Sequence, residues 1–182
     1  PDLPYLELAH RLDKATSGCL ILAKRRSALR RIHAALRERT VDKTYLALVL
    51  GRWPRAVRFV DAALDKNVLR SGERMVRVSD DGKPSRTLFK VLDANDDISL
   101  ISVKPVSGRT HQIRVHAASA GHPIAGDTKY GDAEFNAAIA KAGLKRLFLH
   151  AHSIVVKDLD LHVTAPLEES LQGVLDAVGL SA

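Results

Sequence analysis

The stretch HRLDKATSG (residues 10–18) runs directly into the apolar segment CLILAK (residues 19–24), and the reading of that junction decides the fold. Thr16, Ser17 and Gly18 carry turn chemistry: short hydroxyl side chains bond nearby backbone, and glycine accepts conformations closed to other residues. An apolar run entered from such a turn predicts a strand, here GCLILAKRR, buried along most of its length and ending in a basic edge. Asp13 stands just ahead of the turn, close to His10 and Arg11. As a lone residue it reads either as a turn-capping carboxylate or as a reacting carboxylate held near cations.

Outward from this junction, SALRRIHAALRER predicts a helix with Ser27 as N-cap and Leu29, Ile32 and Leu36 on one face. Arg30, Arg31, Arg37 and Arg39 take the other face. KTYLALVLG predicts a strand closed by Gly51. Residues 52–84 are irregular and polar, with a ribbon of RMVRVS and SRTLFKV expected around Asp81-Gly82. DISLISVKPVSG predicts another strand, and RTHQIRVHAASAG a helix ended by Gly121. After the loop GHPIAGDTKYGD come the helix AEFNAAIAKAG, the strands RLFLHAHSIVV and LDLHVTAP, and the helix LEESLQGVLDAVGL. There is no internal repeat or linker. The pattern is α+β with a mixed, mainly antiparallel sheet flanked by helices.

With 46% apolar residues among 182, a single domain can bury a core without disulfides. The single cysteine, Cys19, cannot form an internal bridge, which points to a reducing, cytoplasmic setting. No apolar run approaches the ~18 residues of a membrane span, so no membrane partner is expected. The net charge of +7 favours polyanionic partners, nucleic acid first.

Three features carry chemistry: Asp13, Tyr45 among aliphatic residues, and SGRTHQIRVH with Arg109, His111, Arg114 and His116 in eight residues. A carboxylate beside an arginine stays charged despite desolvation and can act as nucleophile or base. A tyrosine adds a stacking face and a weakly acidic hydroxyl. Together they suit a reaction on a flat, uncharged ring such as a nucleobase. Singly, Tyr45 reads first as core packing, and Arg114 as a solvated charge or a structural salt bridge. The histidine pairs His111/His116 and His150/His152 lack a companion cysteine or carboxylate set, so no metal is expected. No Gly-x-Ser-x-Gly elbow supports a serine hydrolase.

In combination, HRLDKATSGCLILAK, KTYLALV and GRTHQIRVHAASAGHPIAGDTKYGD resemble the RNA pseudouridine synthases typified by ribosomal large subunit synthase A. LRSGERMVRVSDDGKPSRTLFKV and YGDAEFNAAIAKAGLKRLFLHA resemble the synthase C branch of that family. The resemblance implies the pseudouridine synthase fold with a central active-site cleft, and isomerisation of chosen uridines without cofactor or metal. By the same resemblance Asp13 is the essential carboxylate, attacking either the sugar at C1′ or the uracil ring. Tyr45 stacks on the uracil and assists removal of the C5 proton, and Arg114 pairs with the aspartate. Arg11 fills the gap left by the flipped nucleotide, Ile113 lines the pocket beneath the base, and Arg109 and His111 bind substrate. The implied partner is large-subunit ribosomal RNA, naked or partly assembled, acted on by a monomer. A transfer RNA synthase and a non-catalytic RNA-binding or assembly factor are the alternatives. Family members usually begin with a Lys-Pro-x-Gly strand, and many carry an S4-type RNA-binding domain. Residues 1–182 are therefore expected to be a catalytic domain lacking both.

Overall fold

A computed structural model describes residues 5–68 and 74–182. The chain opens with three short strands, β1 (Glu7–Leu8), β2 (Ser17–Gly18) and β3 (Leu22–Ala23), then helix α1 (Arg26–Glu38). Next come β4 (Val41–Leu50), β5 (Phe59–Asp61), β6 (Leu64–Val68), β7 (Arg74–Val78), β8 (Arg86–Ala94) and β9 (Ile98–Pro105). Helices α2 (Gln112–Ser119) and α3 (Ala133–Lys141) precede β10 (Leu149–Val156), β11 (Leu161–Thr164) and α4 (Glu169–Ala177).

The main sheet runs in the order β11-β10-β4-β9-β8-β5, antiparallel throughout, with β2 added parallel to β10. This is the mixed, mainly antiparallel α+β architecture the sequence predicts. Strand alternation sends Ala47 and Val49 of β4 to one face and Leu48 to the other. Ala47 and Val49 pack with Ile101, Val103 and Leu149 against Ile113 and Ala117 of α2. Leu48 joins Leu100 and Phe148 against α3 (Phe135, Ile139) and α4 (Leu171, Val174, Leu175). Each of the larger side chains contributes about 1.5–3 kcal/mol by leaving water, so these two layers hold the sheet between helices. Helix α1 covers the far end of β10, where Ala35 meets Ile154 and Val156. Because Ile154 pairs with Lys43 across the ladder, α1 lies over the same face as α2. The space between the two helices, above β4, is open.

Four local expectations are corrected. GCLILAKRR is not a strand buried along its length: Cys19 and Ala23 are buried while Leu20 and Leu22 are exposed, so the run alternates, and only β2 and β3 form within it. Ser27 is not the N-cap of α1; extended Arg25 is, with no side-chain cap. The ribbon pairs β7 with β6, whereas SRTLFKV enters the main sheet as β8, between β5 and β9. Asp81-Gly82 does form a turn, closed by Gly82 N–H to Ser79 O at 2.9 Å, but it leads from one sheet to another. Residues 69–73 of this region lie outside the described residues. Lastly, α2 starts at Gln112 and not at Arg109, because His111 is left-handed (φ 52°) and the Gln112 amide ties the preceding loop. Its Oε1 accepts from Ser107 Oγ (2.7 Å) and Arg109 N–H (3.0 Å), while Nε2 donates to Arg86 O (2.9 Å).

The turn after Asp13 depends on Gly18. Its φ of +102° excludes side chains in general, and a Cβ there would fall 2.2 Å from Ala151 O. Gly18→Ala is expected to cost about 2 kcal/mol or more in strain, lowering the thermal midpoint by about 4–8 °C for a chain of this size. A midpoint within a degree of wild type in a calorimetric scan would contradict this account of the turn.

Candidate active site

Asp13 sits in the β1–β2 loop, which the rest of the chain pins from several directions. Ala9 N–H donates to Ile21 O (2.9 Å), Ile21 N–H donates to His10 Nε2 (3.1 Å), and His33 Nε2 of α1 donates to Ala9 O (3.1 Å). Within the loop, Thr16 N–H closes a turn onto Asp13 O (2.9 Å). Downstream, Arg146 Nη2 donates to Ala15 O (3.0 Å), Cys19 N–H to Ala151 O (2.8 Å), and Ser17 Oγ to His150 Nδ1 (2.9 Å). His150 donates its Nε2 proton to Ala165 O (3.1 Å), which leaves Nδ1 as acceptor.

The Asp13 carboxylate meets Arg114 of α2, with Oδ2 3.4 Å from Nη1. Arg114 is itself gripped as a fork: Nε donates to Asp127 Oδ2 (2.7 Å) and Nη2 to Asp127 Oδ1 (2.8 Å). Such a bidentate pair fixes the plane of the guanidinium, so Nη1 is the corner presented to Asp13. The Tyr130 ring lies 5.1 Å from the guanidinium carbon. Burial works against the Arg114 charge, but the hydrogen bonds and charge of Asp127, with Asp13 adding, raise its pKa. Burial also pushes Asp127 up; Arg114 and the N–H groups of Tyr130 and Lys129 outweigh it and hold the carboxyl below its usual range. Tyr130 Oη accepts from Val76 N–H (3.0 Å) and shares a hydrogen bond with His111 Nδ1 (2.8 Å). Burial, then Arg114 and Lys129, lower the His111 pKa, with Asp13 opposing.

Tyr45 projects from β4 on the α2 face, packed against the cluster that includes Ile113. Burial first, then the charge of Asp13, pushes its hydroxyl up to about 12. The pair sits in a cleft of about 770 Å³ between the β1–β2 loop, the end of α1, β4 and the start of α2. Asp13, Tyr45, Arg114, Arg11, Ile113, Arg109 and His111 all line it, although they come from three separate segments. Arg11 and Arg109 are exposed on its rim, and Ile113 is buried in its floor. A floor of Tyr45 and Ile113 with an Asp–Arg pair to one side can hold a planar, uncharged ring against a carboxylate. His116 is elsewhere, fully buried between Thr87 Oγ1 (2.8 Å) and Ala62 O (3.0 Å). Among the described residues no three His, Cys, Asp or Glu side chains gather as metal ligands would. Nor is any helix among them long and apolar enough to cross a membrane.

Residues 2–119 match a family model described as RNA pseudouridylate synthase. The chain belongs to this family. Over 182 residues it is 52% identical to ribosomal large subunit pseudouridine synthase C of Pasteurella multocida, covering 98% of this chain and 56% of that protein. The Escherichia coli (strain K12) protein of the same name is 51% identical over 178 residues, covering 94% and 56%. The chain thus spans little more than half the length of these curated relatives. Among solved structures, Human RNA Pseudouridylate Synthase Domain Containing 1 superposes with a TM-score of 0.78 at 31% identity, covering 94% of this chain and 74% of that one. Human RNA Pseudouridylate Synthase Domain Containing 4 gives 0.79 at 26%, covering 97% and 77%. The fold is that of the pseudouridylate synthases.

Sequence reasoning missed three cleft-side residues of this chain: Asp127, Tyr130 and Lys43. The signal for the first two was present in GDTKYGD. An Asp whose carboxylate caps the N–H groups two and three residues on is held rigidly, and an aromatic three residues later shares its side of the turn. Gly126 belongs to the same device, since a Cβ there would lie 2.2 Å from Arg146 O.

Proposed function

We propose that this chain isomerises selected uridines to pseudouridine in large-subunit ribosomal RNA, acting as the catalytic unit of a cytoplasmic, monomeric enzyme on naked or partly assembled RNA. The observation that carries the reading is the Asp13 carboxylate 3.4 Å from Arg114 Nη1, over a floor of Tyr45 and Ile113 in a family of RNA pseudouridylate synthases. The relatives' names supply the ribosomal substrate. The basic outer face of α1, with Arg30, Arg31 and Arg37 exposed, and the rim residues Arg11 and Arg109 suit contacts to the RNA backbone.

In the reaction the N1–C1′ bond of uridine breaks, the base turns, and a C5–C1′ bond forms; C5 loses a proton and N1 gains one. The target base must first leave its stack, at a cost of a few kcal/mol that is least in loops and bulges. Arg11 takes the space it vacates, and Tyr45 and Ile113 receive the ring. Asp13 then bonds either to C1′, displacing N1, or to the uracil ring, with Arg114 holding it in place, and that ester bond breaks again to restore the carboxylate before pseudouridine is released. Tyr45 keeps its proton in the resting site, since burial and the Asp13 charge place its hydroxyl near 12. Once Asp13 is esterified that charge is gone, and the phenol becomes more acidic at the stage when the C5 proton must leave. This ordering gives Tyr45 a role late in the reaction rather than at its start.

The test is tritium release from RNA labelled at uridine C5. Release from large-subunit ribosomal RNA and not from transfer RNA is expected. Release from transfer RNA alone would move the substrate assignment, and RNA binding with no release from either would leave a binding module.

A further inference from the structure

Lys43 precedes Tyr45 by two residues on β4, so both side chains leave the same face of the strand, about 6.6–6.8 Å apart along it. It lines the cleft and is half-buried. On one side is His10, whose pKa is lowered by burial and then by the Lys43 charge; on the other is Gly108, where a Cβ would stand 4.0 Å from Lys43 Nζ. The exposed cations of the cleft, Arg11, Lys14, Arg37, Arg39, Lys66 and Arg109, keep their water. Among the described residues two lysine or arginine side chains of the cleft are half-buried, Arg114 and Lys43. Arg114 is neutralised by Asp127 and Asp13, while Lys43 makes no ion pair. Burial accordingly pushes its ammonium down.

A partly desolvated cation without a counter-ion is unfavourable in the free protein and is relieved when an anion arrives. Uracil is neutral and cannot supply that charge, whereas each RNA linkage carries one. The spacing from Tyr45 is comparable with the reach from a base to its own backbone. We infer that Lys43 binds a phosphate flanking the target uridine, and so sets how deeply the nucleotide enters over Tyr45. Gly108 leaves room for that phosphate, since any side chain there would narrow the approach to Nζ. The inference rests on the reading of the cleft as an RNA site, and it is separable from the isomerase reading by experiment.

The salt dependence of RNA affinity is measured for wild type, Lys43→Met and Lys43→Arg, using large-subunit ribosomal RNA as probe. Removing one phosphate contact weakens binding about tenfold or more at fixed salt and flattens the slope of log K against log salt by about 0.7–0.9. Lys43→Arg keeps the wild-type slope. A stem–loop carrying the modified uridine, with a single methylphosphonate at either flanking linkage, then identifies the phosphate. At the contacted linkage wild type loses what Lys43→Met has already lost, and the two changes together cost no more than one. An unchanged slope in Lys43→Met, or losses that multiply at both linkages, would overturn the assignment. If wild type bound RNA but released no tritium, the isomerase reading would fail while the slope comparison still decided the role of Lys43.

Discussion

Asp13→Asn lowers tritium release from C5-labelled ribosomal RNA by about four orders of magnitude or more, the scale seen when a reacting side chain is removed from an enzyme. The amide is close to isosteric but cannot form the covalent bond. Its structural cost is small for a reason visible in the site. Arg114 keeps both of its short bonds to Asp127, at 2.7 and 2.8 Å, and loses only the longer one at 3.4 Å. The turn itself is held by the Asp13 carbonyl and by Ser17, Gly18 and Cys19 against β10, none of which the substitution touches. Thermal midpoint and RNA affinity are therefore expected to stay near wild type. A variant that bound RNA, melted normally and still released tritium at more than about a hundredth of the wild-type rate would remove Asp13 from the chemistry.

Asp127→Ala acts the other way round, on stability first. The Asp127 side chain is 1% exposed and accepts from Arg114 twice and from the N–H groups of Lys129 and Tyr130. Deleting it leaves a mostly buried guanidinium with only the longer contact to Asp13 at 3.4 Å, together with two unsatisfied donors, a change that costs about 3–5 kcal/mol in comparable buried pairs. Urea unfolding at pH 7 reads this directly. The same variant predicts a pH signature. The folded Asp127 pKa lies below its unfolded value of about 3.9, so its contribution is complete above that value and is lost as pH falls through the folded pKa. Wild type therefore loses more stability than Asp127→Ala as pH falls below about 4. Equal losses would show that Asp127 does not anchor Arg114 as an ion.

Much of the site was legible because chemistry and spacing coincide within short segments. HRLD, KTY and THQIR each carry at least one residue with no ordinary reason to stand beside the others, and the fold brings all three to one cleft. Strand β4 was legible for a simpler reason: nine of its ten residues are half-buried or buried, and Gly51 stops it. What escaped was non-local. RMVRV pairs backward with LDKNV rather than forward with SRTLFKV, since the turn at Asp81-Gly82 is compatible with either and only the wider sheet decides. The leucines of CLILAK looked like core, yet Leu20 and Leu22 face out because Gly18 turns the chain so that Cys19 and Ala23 face in. Asp127 looked like one more loop residue in a glycine-rich stretch, and its importance comes entirely from Arg114, thirteen positions earlier on another element.

The clamps on the β1–β2 loop have a consequence for the order in which this protein is made. Ser17 is held by His150 and Ala15 by Arg146, across 133 and 131 positions of chain. A ribosome delivers the loop more than 130 residues before its anchors. Contacts of that sequence separation form late in folding, after the intervening segments have closed. The Asp13 carboxylate is thus exported well before the segments that aim it. A partly made chain can hold basic surface against RNA well before it has a working cleft.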